Sequence, residues 1–203
     1  MVAKTVISQD QQGNLWYEQE SLGAEICAAD NVFVYNHSKR KVMDGVAVGD
    51  IVAAMSEDDK KRFLRDFFDW MFAKYQSKQD KDRVSPKMFD CYLFNFIYNS
   101  EGFHLIDEEV ELHEDVEKNW CLWYANLITG LYEYFADCYG YENKACEYEK
   151  EWHSFCSRLD VLNKKWRSLN KKLFDLYFSE RIFLPKNSPT FSQSSCNGTL
   201  RGL

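Results

Sequence analysis

The chain has no Cys-x-x-Cys pair, no histidines at metal-binding spacing, no glycine-rich loop and no apolar run near the roughly 18 residues a membrane-spanning helix requires. Its seven cysteines, Cys27, Cys91, Cys121, Cys138, Cys146, Cys156 and Cys196, are odd in number and scattered through apolar segments. That pattern argues against a zinc or disulfide framework and fits a reducing cytosol, where thiols act as small buried hydrophobes. His37, His104, His113 and His153 are equally scattered and are read as structural. Basic residues are outnumbered, 25 Lys and Arg against 32 Asp and Glu, for a net charge of −7. Such a surface has no cationic excess with which to release phosphate counterions, so no nucleic-acid partner is expected. The first 12 residues hold no useful apolar run, and no signal peptide is expected.

What is present is enough apolar material, 45% of 203 residues, for one compact domain with an appended helix. Val2 to Ser8 and Asn14 to Ser21 read as two strands joined at Gln11-Gln12-Gly13. Ser56 is a helix cap with Asp59 at the capping-box position, which predicts a helix over about 57–76. Phe63, Phe67, Trp70, Met71 and Lys74 recur along it at three- and four-residue spacing and predict a buried aromatic face. Residues 76–87 read as a polar connector, with Pro86 keeping Ser85 out of helical geometry. A second buried helix is predicted over 116–139, thinned near Gly130, with the acidic run from Glu109 to Glu117 favouring its first turn.

Tyr148, Trp152, Phe155, Leu159, Leu162, Trp166, Leu169, Leu173 and Leu176 follow at alternating intervals of four and three. A helix of about 33 residues would be roughly 50 Å long, and its seam serves either as core against the domain or as a coiled coil with another chain. Lys164, Lys165, Arg167, Lys171 and Lys172 fall mostly on its solvated side. From Pro185 onward the Ser, Pro, Asn and Gly content predicts a disordered tail.

One constellation points to chemistry. Asp90 precedes Asn95 by five residues, an apolar strand and an Asn99-Ser100-Glu101-Gly102 turn follow, and a second apolar strand ends at Ile106-Asp107. A short hairpin of this kind sets three oxygen-bearing side chains near one another, and magnesium prefers such hard ligands while keeping phosphates and waters in its octahedron.

In these residues the chain resembles the kinase-like family that includes aminoglycoside and choline phosphotransferases, whose motifs run His-x-Asp-x-x-x-x-Asn and then Ile-Asp-[Phe/Trp]-Glu. It is more similar still to the kinase-like modules of bacterial surface-polysaccharide proteins, often fused to methyltransferases or glycosyltransferases. The resemblance covers about residues 14 to 135 and is carried by Asp90, Asn95, Asp107 and Glu109. It implies an α+β, mainly helical fold: a kinase-like carboxyl lobe with a catalytic-loop hairpin, a minimal or absent amino lobe and a long carboxyl-terminal heptad helix. The implied division is a lobe over 1–140, the helix over 141–184 and the tail over 185–203. Asp90 would be the base, Asn95 and Asp107 would hold Mg2+, and Glu18 and Glu20, in a strand leading to the adenine site, would contact ATP.

The implied reaction moves phosphate from ATP to a sugar or glycan hydroxyl in bacterial surface-polysaccharide biosynthesis, in an active or a degenerate, pseudokinase form. The alternative is a noncatalytic scaffold or oligomerisation module that gathers polysaccharide biosynthesis enzymes, with the heptad helix joining copies of the chain. A cytoplasmic location is expected, either free or peripheral to a membrane enzyme complex. Three departures carry further expectations. Met88 stands where the family has His, so the hydrogen bond bracing the loop is expected to be missing. Glu108 replaces the aromatic after Asp107 and would either help bind cation or point to solvent. Lys4 is the only lysine before residue 39, so no cationic group is visible to clamp phosphates, and the amino lobe is expected to be truncated, degenerate or supplied elsewhere.

Overall fold

The computed structural model describes residues 3–21, 33–35, 39–108 and 110–179. Its first element is a hairpin of β1 (Ala3–Gln9) and β2 (Leu15–Ser21), paired antiparallel from Ala3↔Ser21 to Gln9↔Leu15. One carboxylate closes the turn. Asp10 Oδ1 accepts from the backbone N–H groups of Gln12 and Asn14, and Oδ2 accepts from Asn14 Nδ2 and Trp16 Nε1, each at 2.9 Å. These donors, Trp16 foremost, hold the Asp10 carboxyl down to about 2. After β3 (Phe33–Tyr35), β4 (Lys39–Lys41) adds to β2, so β2 is the middle strand of a three-stranded sheet.

β5 (Val46–Ala47) leads directly into α1 (Val48–Ala54), and α2 (Glu57–Lys74) follows. The α2 amino terminus is capped as its sequence predicts: Ser56 Oγ accepts from the Asp59 N–H, and Glu57, Asp58 and Asp59 place negative charge at the positive end of the helix. Leu64, Phe67, Phe68, Met71 and Phe72 are buried, the spacing of a single apolar face. Beyond β6 (Arg83–Val84), β7 (Phe96–Asn99) and β8 (Gly102–Leu105) form the predicted hairpin, and β5 pairs with β7 on its other side. The aromatic face of α2 lies under this sheet, with the Phe67 ring 5.0 Å from Phe96 and 5.4 Å from Phe103.

β9 (Val110–Leu112) pairs with β3, and β10 (Val116–Glu117) pairs with β6. The helix predicted over 116–139 is two: α3 (Lys118–Thr129) and α4 (Tyr132–Tyr139). Gly130 at φ 66° ends α3 in the left-handed conformation that glycine adopts without Cβ strain, which is why the apolar periodicity runs through a break. Residues Asn119 to Ala125 of α3 are all buried, so the first two turns of this helix are core on every side, while Leu127 in its last turn is exposed. α5 (Ala145–Ser179) is a helix of 35 residues. Its first turns belong to the domain core: Phe155 meets Phe89 at 4.8 Å and Trp152 meets Tyr124 at 4.8 Å.

The chain divides into two compact units, Met1–Trp166 and Arg167–Leu203. The side chains of the seam from Leu159 to Leu176, and the tail over 185–203, lie outside the described residues, as do Cys27, His37, Glu109 and Cys196. The described part is a mixed α+β fold, and among the described residues no helix is long and apolar enough to cross a membrane.

Candidate functional site

Asp90 ends a 3-10 turn, Pro86–Asp90, that Pro86 starts and that the buried side chains of Met88 and Phe89 root in the core. A second such turn, Leu93–Asn95, follows at once, and its close against β7 sets Asn95 directly before the hairpin. Two hydrogen bonds then tie the segments. Asn95 Nδ2 donates to the Asp90 carbonyl at 3.0 Å, and the Ile106 N–H donates to the Asn95 carbonyl at 2.8 Å, extending the β7–β8 ladder by one step toward Asp107. Gly49 of α1 completes the packing because a Cβ there would lie 2.5 Å from the Phe94 ring.

The expectation that the loop lacks its brace is wrong. Helix α3 supplies one, along a single stretch of its surface. Trp120 Nε1 donates to the Phe89 carbonyl at 3.1 Å, Cys121 Sγ lies 3.8 Å from the Met88 carbonyl, and the Tyr124 hydroxyl donates to Asp90 Oδ1 at 2.9 Å. Met88 itself is fully buried, so a thioether suffices where the bracing comes through backbone carbonyls. Cys91 and Cys121 are buried beside one another. Burial first, and then its neighbour, push the Cys91 thiol well up, as befits core filler.

The Asp107 side of the site is held by charge. Arg40 on β4 donates through Nη1 to the Ile106 carbonyl at 3.0 Å, and the Tyr17 hydroxyl on β2 donates to the same oxygen at 2.9 Å. Arg40 Nη2 is 3.5 Å from Glu108 Oε2, and Lys87 Nζ is 3.0 Å from that same oxygen. Glu108 therefore neither points to solvent nor turns to a cation site; it joins the amino-terminal sheet and the Asp90 turn to the segment after β8 that carries Asp107. Nor are cationic groups missing, because Arg40 and Lys87 lie beside the loop. A lone Arg in a Lys-Arg-Lys strand and a Lys three residues before Asp90 are the signals sequence reasoning passed over.

Burial raises the Asp90 carboxyl above its ordinary range and the charge of Asp107 raises it further, against the hydrogen bonds from Tyr124 and Asn95. Tyr124 is itself pushed up, first by burial and then by Asp90, so it stays protonated and can only donate to the carboxylate. Carboxylate and amide oxygens such as those of Asp90, Asn95 and Asp107 are the kind of ligand that a hard cation such as Mg2+ prefers. Among the described residues no group of three or more His, Cys, Asp and Glu side chains could hold a metal, so such a cation would need oxygens from a substrate as well.

Of the sequence-predicted residues, Asp90 and Asn95 are tied by the hydrogen bond from Asn95 Nδ2 to the Asp90 carbonyl, and Asp107 directly follows Ile106, whose N–H donates to the Asn95 carbonyl. Glu18 stands exposed on the middle strand opposite Val6 and Lys39, and the contacts from this sheet to the site come from Tyr17 and Arg40 instead. Glu20 pairs with Lys4 through its backbone, and its side chain lies outside the described residues. Two cavities, of about 470 Å3 and about 160 Å3, are lined by other residues, including Arg83 and Glu117 in both, and not by Asp90, Asn95 or Asp107. Compared with models of protein families, with curated proteins and with solved structures, the chain matches none.

Proposed function

We propose that this chain is a kinase-like phosphotransferase module that moves phosphate from ATP to a sugar or glycan hydroxyl in bacterial surface-polysaccharide biosynthesis. The observation that supports the reading is the pair of hydrogen bonds from Asn95 Nδ2 to the Asp90 carbonyl and from the Ile106 N–H to the Asn95 carbonyl, which tie the Asp90 turn to the hairpin one residue before Asp107. Asp107 and Asn95 are the residues that would hold Mg2+, which supplies charge neutralisation at the phosphates. Asp90 takes the proton from the acceptor hydroxyl as its oxygen attacks the terminal phosphorus and the bond to ADP breaks. A carboxyl raised by burial is a stronger base than an exposed one, and Tyr124 fixes which oxygen faces the acceptor. A radiolabel-transfer assay from ATP to glycan acceptors, with Asp107→Ala as the control, tests this. Loss of label in the variant is expected; equal signal from the two proteins removes the catalytic claim.

The length of α5 favours a second reading, in which the chain is an assembly module for polysaccharide enzymes. Its seam beyond Phe155 continues for six further heptad positions, more than one turn of core contact needs. Mass in solution separates the two: an oligomer that binds no Mg-nucleotide supports the scaffold alone.

A further inference from the structure

Phosphoryl transfer develops negative charge that preorganised cations must meet. Around the proposed site two cations converge on one atom, Glu108 Oε2, with Lys87 Nζ at 3.0 Å and Arg40 Nη2 at 3.5 Å. Arg40 is held in place by its other arm, since Nη1 donates to the Ile106 carbonyl. Its guanidinium therefore spans from residue 106 to residue 108 and brackets Asp107. Lys87 arrives from the turn that ends in Asp90. The three side chains are only part-buried, at 15% exposure for Arg40, 35% for Lys87 and 25% for Glu108, so a ligand arriving from solvent can reach them.

We propose that Arg40 and Lys87 form a polyphosphate-binding pair, that the Glu108 carboxylate occupies it in the resting protein, and that the terminal phosphates of a nucleotide take the place of Glu108. This rests on the phosphotransferase reading for the identity of the nucleotide. The chemistry of the pair is independent of it. A guanidinium fork and an ammonium meeting at one oxygen is the arrangement that phosphate oxygens and carboxylates share. A polyphosphate brings more charge and more acceptor oxygens than one carboxylate, but Glu108 is tethered and so competes at high effective concentration. The Tyr75 hydroxyl lies in the same field: burial and then Glu108 push it up to about 12 while Arg40 opposes, leaving it a donor at neutral pH. A purely structural ion pair predicts a different response to losing Glu108. Its removal would slacken the loop and weaken binding, whereas removal of a resident competitor strengthens it.

Calorimetric titration of the full chain with inorganic tripolyphosphate, and then with Mg-ATP, distinguishes these. Glu108→Gln is expected to bind tripolyphosphate about tenfold more tightly and Lys87→Met about tenfold more weakly, the worth of one charge-assisted hydrogen bond. Thermal melts of both variants verify folding. Equal or weaker binding by a folded Glu108→Gln, or no binding by any of the three proteins, overturns the proposal. Should the affinities follow the expected order while no phosphate is transferred to any acceptor, the pair stands and the phosphotransferase reading falls. Should the wild type transfer phosphate while Lys87→Met binds tripolyphosphate and Mg-ATP as the wild type does, the reverse holds.

Discussion

The two sides of the candidate site are built from different physics. The Asp90 turn is fastened by one helix, α3, through Trp120, Cys121 and Tyr124, whose side chains are nearly all withdrawn from water. The segment 106–108 is fastened by side chains from three separate places in the chain, Tyr17, Arg40 and Lys87, two of them charged and part-exposed. Buried hydrogen bonds inside an aromatic core leave an unsatisfied group and a cavity when broken, so they fix one geometry. Part-exposed ion pairs exchange readily with water and salt, so they permit a change of partner. The Asp90 side is accordingly the rigid side, and the 106–108 side is the one whose contacts can exchange.

The largest break in this contrast comes from Trp120→Ala. Trp120 is 3% exposed and meets Trp123 at 5.1 Å, Tyr148 at 5.6 Å, and Phe89 and Phe155 at 5.9 Å, besides its bond to the Phe89 carbonyl. Emptying that space should cost about 3–5 kcal/mol of unfolding free energy. Urea unfolding measures it. A loss below about 1 kcal/mol would mean that α3 does not anchor the Asp90 turn and that the two sides are alike.

Tyr124→Phe sharpens the same side without emptying it. The ring stays and only the donor to Asp90 Oδ1 goes, for a loss near 1 kcal/mol. That donor favours the ionised carboxylate, so its removal raises the Asp90 carboxyl further above its ordinary range. Because the folded value already exceeds the unfolded one, the stability linked to Asp90 is fully present below the unfolded value and is lost as pH rises through the folded one. The variant moves that upper bound to higher pH. Carbon NMR titration of the Asp90 carboxyl reads the shift directly, and the acid limb of any transfer activity should move with it. A downward shift would show that Tyr124 does not donate to the charged form.

How much of this was legible in sequence follows the distance along the chain over which each contact acts. The turn after Asp90 and the hairpin between Asn95 and Asp107 are readable because they depend on near neighbours. The Ser56 cap and the α2 aromatic face are local in the same way. The brace is not: Trp120 and Tyr124 act across 31 and 34 residues, and Arg40 across 66. In sequence Tyr124 is one aromatic in a buried helix, which it is, and nothing in the spacing says that its hydroxyl meets a carboxylate. Met88 shows the converse error, since a missing His was equated with a missing brace although backbone carbonyls can be held from another element. The expected single helix over 116–139 fails at Gly130 because apolar residues recur on both sides of the turn, at Trp120 to Ala125 in α3 and at Leu131, Tyr132, Phe135 and Ala136 beyond it, and their spacing does not register the left-handed residue between them.

The smallest expected effect tests the opposite side. Lys87→Met removes one of the two cations on Glu108 Oε2 while keeping most of the aliphatic stem. Arg40 remains within 3.5 Å, so Glu108 is not left without a partner, and a part-exposed pair contributes only about 0–1 kcal/mol. The unfolding free energy should therefore fall by less than about 1 kcal/mol in low salt, and the gap between wild type and variant should close toward 1 M salt, where the Debye length is about 3 Å. Trp120→Ala should keep its full deficit at every ionic strength, because dispersion and cavity terms are not screened. A Lys87→Met deficit of several kcal/mol that salt leaves unchanged would place Glu108 in a dry, structural ion pair. The Asp107 side would then be as rigid as the other, and the exchange of Glu108 for phosphate would have no element able to move.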